Sequence, residues 1–140
     1  RQVWSGPAYR FPDDLPGSAD MVRVTVRVTD RNAALLDGGF PELRENLAAI
    51  SPCVAVVEGG EAVSVCCSAR TSAGAAEAGL GTLEAFRGRG YAAAAVAGWA
   101  AAVREAGRVP LYSTAWSNEA SRGVARKLGL VLYGTDLSIL

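Results

Sequence analysis

Hydrophobic and polar positions change rhythm several times along this chain. From Met21 to Thr29 they alternate, with Val22, Val24, Val26 and Val28 on one side and Arg23, Thr25, Arg27 and Thr29 on the other. That pattern predicts a strand with one wet face. Ahead of it, residues 1–20 carry turn chemistry at Gly6-Pro7, Pro12-Asp13-Asp14 and Pro16-Gly17 and read as an irregular arm. Behind it, Asp30 is placed to cap a short helical stretch through Leu36, ended by Asp37-Gly38-Gly39. Pro41 suits a first helical turn, and Phe40, Leu43, Leu47 and Ile50 follow at helical spacing until Ser51-Pro52 stops the run.

Two β-rich runs come next, Cys53 to Glu58 and Glu61 to Ala69, and Gly59-Gly60 between them signals a hairpin. Ala75 to Leu83 reads as a third strand of the same antiparallel meander. The period then lengthens. Tyr91 to Ala106 is alanine-rich with Val96, Trp99 and Val103 on one stripe, a helix packed on a sheet, and Gly107 stops it. Val109 to Ala115 is a short strand. Asn118 opens a second helix whose Ala120, Val124 and Leu128 share a face, and Gly129 closes it. Leu130 to Leu140 returns to strand with a bend at Gly134. The order β-α-β-β-β-α-β-α-β predicts an α/β chain with one mixed, mostly antiparallel sheet flanked by helices. With no internal repeat or linker, residues 21–140 form one domain behind the arm.

Composition narrows the chemistry. The 140 residues include 14 basic and 14 acidic side chains, for a formal net charge of +0. Neither a nucleic-acid footprint nor a polybasic membrane patch is present. No apolar run is long enough to span a bilayer. The chain opens on Arg1 rather than Met, as a trimmed or processed form of a longer protein would. Cys53, Cys66 and Cys67 are odd in number and lack a C-x-x-C spacing, which suits buried, reduced thiols in a cytoplasmic protein. Histidine is absent. That removes Ser-His-Asp and Cys-His nucleophiles and the usual histidine metal sites, so no metal is expected.

The informative segment runs from Thr82 to Ala92. A strand ends, a short loop carries Arg87-x-x-Gly90-x-Ala92, and a helix begins at once. Glycines let the backbone turn tightly, and amides at a helix N-terminus favour an anion such as a pyrophosphate. It is not a P-loop, because no Gly-Lys-Ser/Thr follows. Gly88-x-Gly90-x-x-Ala93 formally matches a dinucleotide fingerprint, which keeps a dinucleotide-binding enzyme as one alternative. Against it, several residues separate the strand from Gly88, and no acidic residue closes the strand Leu111 to Ala115.

A second segment runs from Trp116 to Leu130. Its Asn118-x-x-Ser121, leading to Lys127-x-Gly129-Leu130, combines with the first loop at a spacing that resembles the GNAT family of N-acetyltransferases. The resemblance covers Ala75 to the end and agrees in strand order back to Cys53. It implies a GNAT-like acyl-CoA N-acyltransferase fold that moves an acetyl group from acetyl-CoA, the donor substrate, to an amine by direct attack in a ternary complex. It implies that free backbone groups near Leu80, Gly81, Thr82 and Leu83 hold the pantetheine arm. The loop residues Arg87, Gly88, Arg89, Gly90, Tyr91 and Ala92 would hold the pyrophosphate, with Asn118 as a further contact. An N–H at Gly81 or Thr82 would stabilise the oxyanion. Glu77 is the first candidate base and Glu84 the second.

In many members a Tyr seven residues after the Asn assists the departing thiolate. Here that position is Ala125, a departure that leaves Ser121 or Tyr112 as candidates, and solvent as a third. It also keeps open a non-catalytic acyl-CoA-binding sensor or partner domain of the same fold. Homodimers are common in the family, though no residue here marks one, and the acceptor amine is not specified. Trp99 reads as core, and Trp4 and Trp116 as core or substrate wall.

Overall fold

The computed structural model describes residues 3–15 and 17–139. Seven strands form one sheet: β1 (Val3–Arg10), β2 (Thr25–Val28), β3 (Cys53–Glu58), β4 (Glu61–Thr71), β5 (Ala75–Thr82), β6 (Val109–Ser113) and β7 (Val131–Ile139). Their order is β2-β3-β4-β5-β6-β1-β7, and every neighbouring pair is antiparallel except β5–β6. The helices are α1 (Ser18–Arg23), α2 (Pro41–Glu45), α3 (Tyr91–Glu105) and α4 (Glu119–Lys127), with 3-10 turns at Ala33–Leu36 and Glu84–Phe86. The side chain of Trp4 lies outside the described residues.

The β3–β4 hairpin forms as expected, with Gly59 at φ 61° and Gly60 at φ 79°, the pair of positive values a tight two-residue turn demands. α3 is the spine of the core. Ala93 to Ala97, Trp99, Ala100, Ala102 and Val103 are all buried against the sheet. Its alanines allow close approach, closest at Gly98, where a Cβ would lie 2.7 Å from the Thr25 hydroxyl and 2.9 Å from a Val54 methyl. Trp99 is fully buried and its indole N–H donates to the Ser68 hydroxyl at 3.1 Å. A second apolar cluster on the other face of the sheet gathers Leu36, Phe40, Leu47, Ala55 and Val65 under the residues between β2 and β3.

Three expectations need correction. The first concerns the arm. Residues 3–10 are a strand inserted between β6 and β7, not irregular chain. Gly6-Pro7 reads locally as a turn, yet Pro7 fits here because its C=O accepts from Thr114 N–H just beyond the last β1–β6 rung, Ala8↔Ser113. Proline has no N–H to return that bond, and the β1–β6 ladder ends there. Gly6 lies so close to the Thr114 carbonyl that only glycine fits.

The second concerns Met21 to Thr29, which is strand only from Thr25. Met21 and Val22 are helical and pack on the α3 cluster. In β2 the expected wet side faces α3: Thr25 meets Gly98, and Arg27 pairs with Glu105, while Val24 and Val26 are exposed. The third concerns caps and stripes. Asp30 caps nothing; Asn32 precedes the 3-10 turn and its side chain accepts from Thr29 N–H at 2.8 Å. On α4 the buried stripe is Ala125 and Leu128, whereas Ala120 is exposed.

Candidate functional site

β5 and β6 pair over only three rungs, Ala75↔Val109, Ala76↔Pro110 and Glu77↔Leu111, and then part. The opening they leave is bounded by the loop before α3 and by α4. It is a cavity of about 630 Å³ lined by Leu80, Gly81, Thr82, Arg87, Gly88, Gly90, Tyr91, Ala92, Asn118 and Ser121, all anticipated from the sequence. Phe86, Ala93, Ala120, Gly123, Val124 and Lys127 complete it.

Strand register decides which backbone groups face the opening. Leu83 N–H donates to Val63 C=O, and Val65 stands opposite Gly81, so Gly81 and Leu83 bond toward β4. By antiparallel alternation the N–H and C=O groups of Leu80 and Thr82 point the other way, into the gap. Of the two amides expected to polarise a bound carbonyl, Thr82 therefore has the free one. Its side chain is anchored by a 2.8 Å hydrogen bond with the Ser64 hydroxyl, and its carbonyl accepts from Arg87 Nε at 3.4 Å.

The loop into α3 is held open by Gly88 at φ 80° and Gly90 at φ 81°. Gly90 caps α3 without a side-chain bond, and the first helical bond runs from Ala94 N–H to Gly90 C=O. The amides of Tyr91, Ala92 and Ala93 thus precede the helical ladder and are available to an anion. The Tyr91 hydroxyl is turned away from this nest and donates to Glu58, a bond that raises the tyrosine's pKa. Arg89 also leaves the cavity. It pairs with Glu58 at 3.5 Å and stacks 5.1 Å over the Phe86 ring, so its side chain shapes the loop from outside.

Across the gap, Asn118 caps α4 by accepting from Ser121 N–H at 3.0 Å. Tyr112 is buried, its hydroxyl donates to the Ser121 carbonyl at 2.9 Å, and burial pushes its pKa up to about 12. That hydroxyl is held away from the opening and is a poor proton donor to a thiolate. Ala125, in the position of the family tyrosine, is buried in the core.

Glu77 and Leu83 do not line the cavity. Leu83 packs between the two apolar clusters. Alternation along β5 sends Ala76, Ala78 and Leu80 toward α3 and Glu77, Gly79 and Gly81 to the opposite face. There Glu77 is clasped by Arg70, at 2.7 Å to Nε and 3.4 Å to Nη2, beside a shallow depression floored by Leu111. The glycines beyond it carry no side chain, and neighbours take up that space: a Cβ on Gly79 would lie 3.2 Å from the Ala69 Cβ and one on Gly81 3.1 Å from the Phe40 ring. Glu84 is exposed. Among the described residues no group of three or more His, Cys, Asp or Glu side chains is placed to hold a metal, and no helix is long and apolar enough to cross a membrane.

Lys127 is not among the site residues expected above, yet it lines the cavity. Ala120, Val124 and Lys127 follow at helical spacing, and all three line the cavity.

A parting parallel pair, an amide nest at the next helix and a capped helix opposite thus surround one cavity. The family model described as GNAT acetyltransferase matches residues 48–135, and the chain belongs to that family. Solved structures agree in fold. A GCN5-related N-acetyltransferase-like protein from Streptococcus suis superposes with a TM-score of 0.75 at 21% identity, over 97% of this chain and 60% of that one. A GNAT-family protein from Novosphingobium aromaticivorans gives 0.66 at 18% identity, over 97% and 63%. One from Colwellia psychrerythraea gives 0.63 at 13%, over 97% and 55%. The chain therefore spans about three fifths of the length of these relatives. No curated protein matches it. The mixed, mostly antiparallel sheet is not the parallel sheet that the dinucleotide alternative requires.

Proposed function

We propose that this chain is an N-acetyltransferase that takes acetyl-CoA as donor and an amine as acceptor. One observation carries the reading: the unpaired backbone groups of Leu80, the N–H of Thr82 and the free amides that open α3 converge on one cavity. A pantetheine arm hydrogen-bonds like a strand and suits the first set, and a pyrophosphate suits the second.

The chemistry needs no enzyme nucleophile. The amine lone pair attacks the thioester carbonyl, the oxyanion is held by Thr82 N–H, and the tetrahedral adduct collapses to an amide and a thiolate. The Ser121 hydroxyl, on the cavity wall, hydrogen-bonds the departing sulfur. Glu77, at the last paired rung and on the face away from α3, lies outside the donor cavity and takes the amine proton through water. Arg87 and Asn118 fix the walls, the first through the Thr82 carbonyl and the second as the α4 cap. Three unbridged, buried cysteines support a reducing, cytoplasmic setting.

Two observations favour a second reading, a domain that binds acyl-CoA without turnover. Ala125 replaces the usual tyrosine, and the Glu77 carboxylate is already engaged by Arg70.

Thermal unfolding with acetyl-CoA, and with a nicotinamide dinucleotide as control, tests the donor site. Saturation at about 100 times Kd adds roughly 2.7 kcal/mol, several degrees for a domain of this size. A shift with acetyl-CoA alone supports the site, and thiol release with a panel of amines then separates enzyme from sensor. No shift in a folded protein refutes the donor assignment.

A further inference from the structure

Lys127 is the chain's single lysine, and it ends α4 on the cavity wall. Its ammonium reaches across the opening to the glycine that starts α3: a Cβ placed on Gly90 would lie 2.9 Å from Nζ. Gly90 is also the αL cap beside the three free amides of the nest. The lysine makes no hydrogen bond or ion pair among the described residues. Of the two loop arginines, Arg89 is turned out of the cavity to Glu58 and the Phe86 ring, while Arg87 lines the cavity with its Nε 3.4 Å from the Thr82 carbonyl. The amides of the nest offer partial positive charge from dipoles, and Lys127 is the cation set against the glycine beside them.

A lysine in a last helical turn is ordinarily explained by the helix dipole alone. Arg126, one residue earlier, satisfies that role equally and does not line the cavity. The contact with Gly90 is what distinguishes Lys127.

We infer that Lys127 supplies the countercharge for the donor's diphosphate, clamping it from α4 against the amides of α3. The inference rests on the donor reading above and adds a residue and a charge to it.

The test is binding, measured calorimetrically on the intact chain. Wild type, Lys127→Gln, Lys127→Arg and Arg126→Gln are titrated with acetyl-CoA, with acetyl-dephospho-CoA, which lacks the 3′-phosphate, and by competition with acetyl-pantetheine, which lacks all phosphates. Lys127→Gln should weaken the first two ligands by the same factor, about tenfold, and leave the third unchanged. The salt dependence of acetyl-CoA binding should flatten by about one charge. Lys127→Arg should retain most of the affinity, and Arg126→Gln all of it. The ligand-free melting temperature of each variant should match wild type, because both side chains are exposed.

A Lys127→Gln protein that binds acetyl-CoA as wild type does overturns the inference while leaving the donor site intact. A loss that disappears with acetyl-dephospho-CoA overturns it too, by moving the lysine to the 3′-phosphate. A folded wild type that binds none of the ligands removes the donor reading and this inference together.

Discussion

Replacing Gly6 by alanine probes the least expected part of the fold. A Cβ at this position would sit 1.6 Å from the Thr114 carbonyl oxygen, 2.6 Å from its carbon and 2.9 Å from the Ala115 Cα. All three are main-chain atoms, so no side chain can rotate away. Ordinary contact begins near 3.4 Å, so β1 and the end of β6 must separate by well over an ångström. That motion breaks the bond from Thr114 N–H to Pro7 C=O and strains the rungs Ala8↔Ser113 to Arg10↔Leu111. Overpacking of this kind costs about 1–3 kcal/mol, and each lost backbone bond about 1 kcal/mol. The expected destabilisation is about 3–5 kcal/mol, or roughly 10–20 °C in Tm for a chain of this length. Gly134→Ala is the control. It lies on the adjoining strand with nothing within 4 Å of its added Cβ, and it should stay within about 0.5 kcal/mol of wild type. Urea and thermal unfolding followed by circular dichroism read both. If Gly6→Ala melts within two or three degrees of Gly134→Ala (about 1 kcal/mol), the first strand is not seated against Thr114, and its place inside the sheet is wrong.

Other expectations follow from the site and core. Glu77→Gln should lower kcat at least about tenfold with little change in acetyl-CoA affinity, and an unaltered turnover and pH profile would remove Glu77 as base. Ser68→Ala strands the buried Trp99 indole N–H and should cost about 1–3 kcal/mol in urea unfolding, whereas equal stability would mean the indole finds another acceptor. Burial pushes the Cys53 thiol up to about 12, with Cys67 beside it adding to the effect, and raises Cys66 and Cys67 too. The folded state thus keeps protons that the unfolded chain releases above about pH 9, so this stability is complete below pH 9 and lost as pH climbs toward 12. Urea midpoints from pH 7 to 11 should fall only in the upper range, and native protein at pH 8 should resist thiol reagents that label all three cysteines after unfolding. Gly88→Ala and Gly90→Ala should each cost about 1–2 kcal/mol for positive φ, but only the second displaces Lys127 and so should further weaken acetyl-CoA in a binding titration.

Local chemistry explains what could be read directly. Gly59-Gly60, Gly88 and Gly90 act within a few residues, and the alanine run of α3 has one plausible helical use, so the strand–loop–helix core of the site emerged from sequence with nearly correct bounds. What depends on distant partners did not. Pro7 argues against a strand until Thr114 and Thr135 are known to flank it. The valines of β2 suggest a buried face, yet α3 lies on the other side, and only Val28 is covered. Glu77 was recognised as a carboxylate near the cleft, but its clasp by Arg70 follows from a register shift in β4 between Ser68 and Arg70 that no periodicity reveals. Helical spacing alone puts Lys127 beside Ala120 and Val124, but Leu128 and Gly129 next to it already account for the end of the helix.

The inserted first strand also orders events during synthesis. β1 leaves the ribosome before any of its partners exist, because Ala8 must wait for Ser113 and Val3 for Ile139. The hairpin of β3 and β4 and the packing of α3 on it need no such wait, and can form while the C-terminal third is still being translated. The far wall of the cleft, built from β6, β1 and β7, is then the last part to close, by threading an early segment between two late ones. Such long-range pairing is slow and carries a large loop-closure entropy. A ribosome stalled before β7 should therefore hold a chain whose meander is protected from proteolysis while Val3–Arg10 remain open to cleavage.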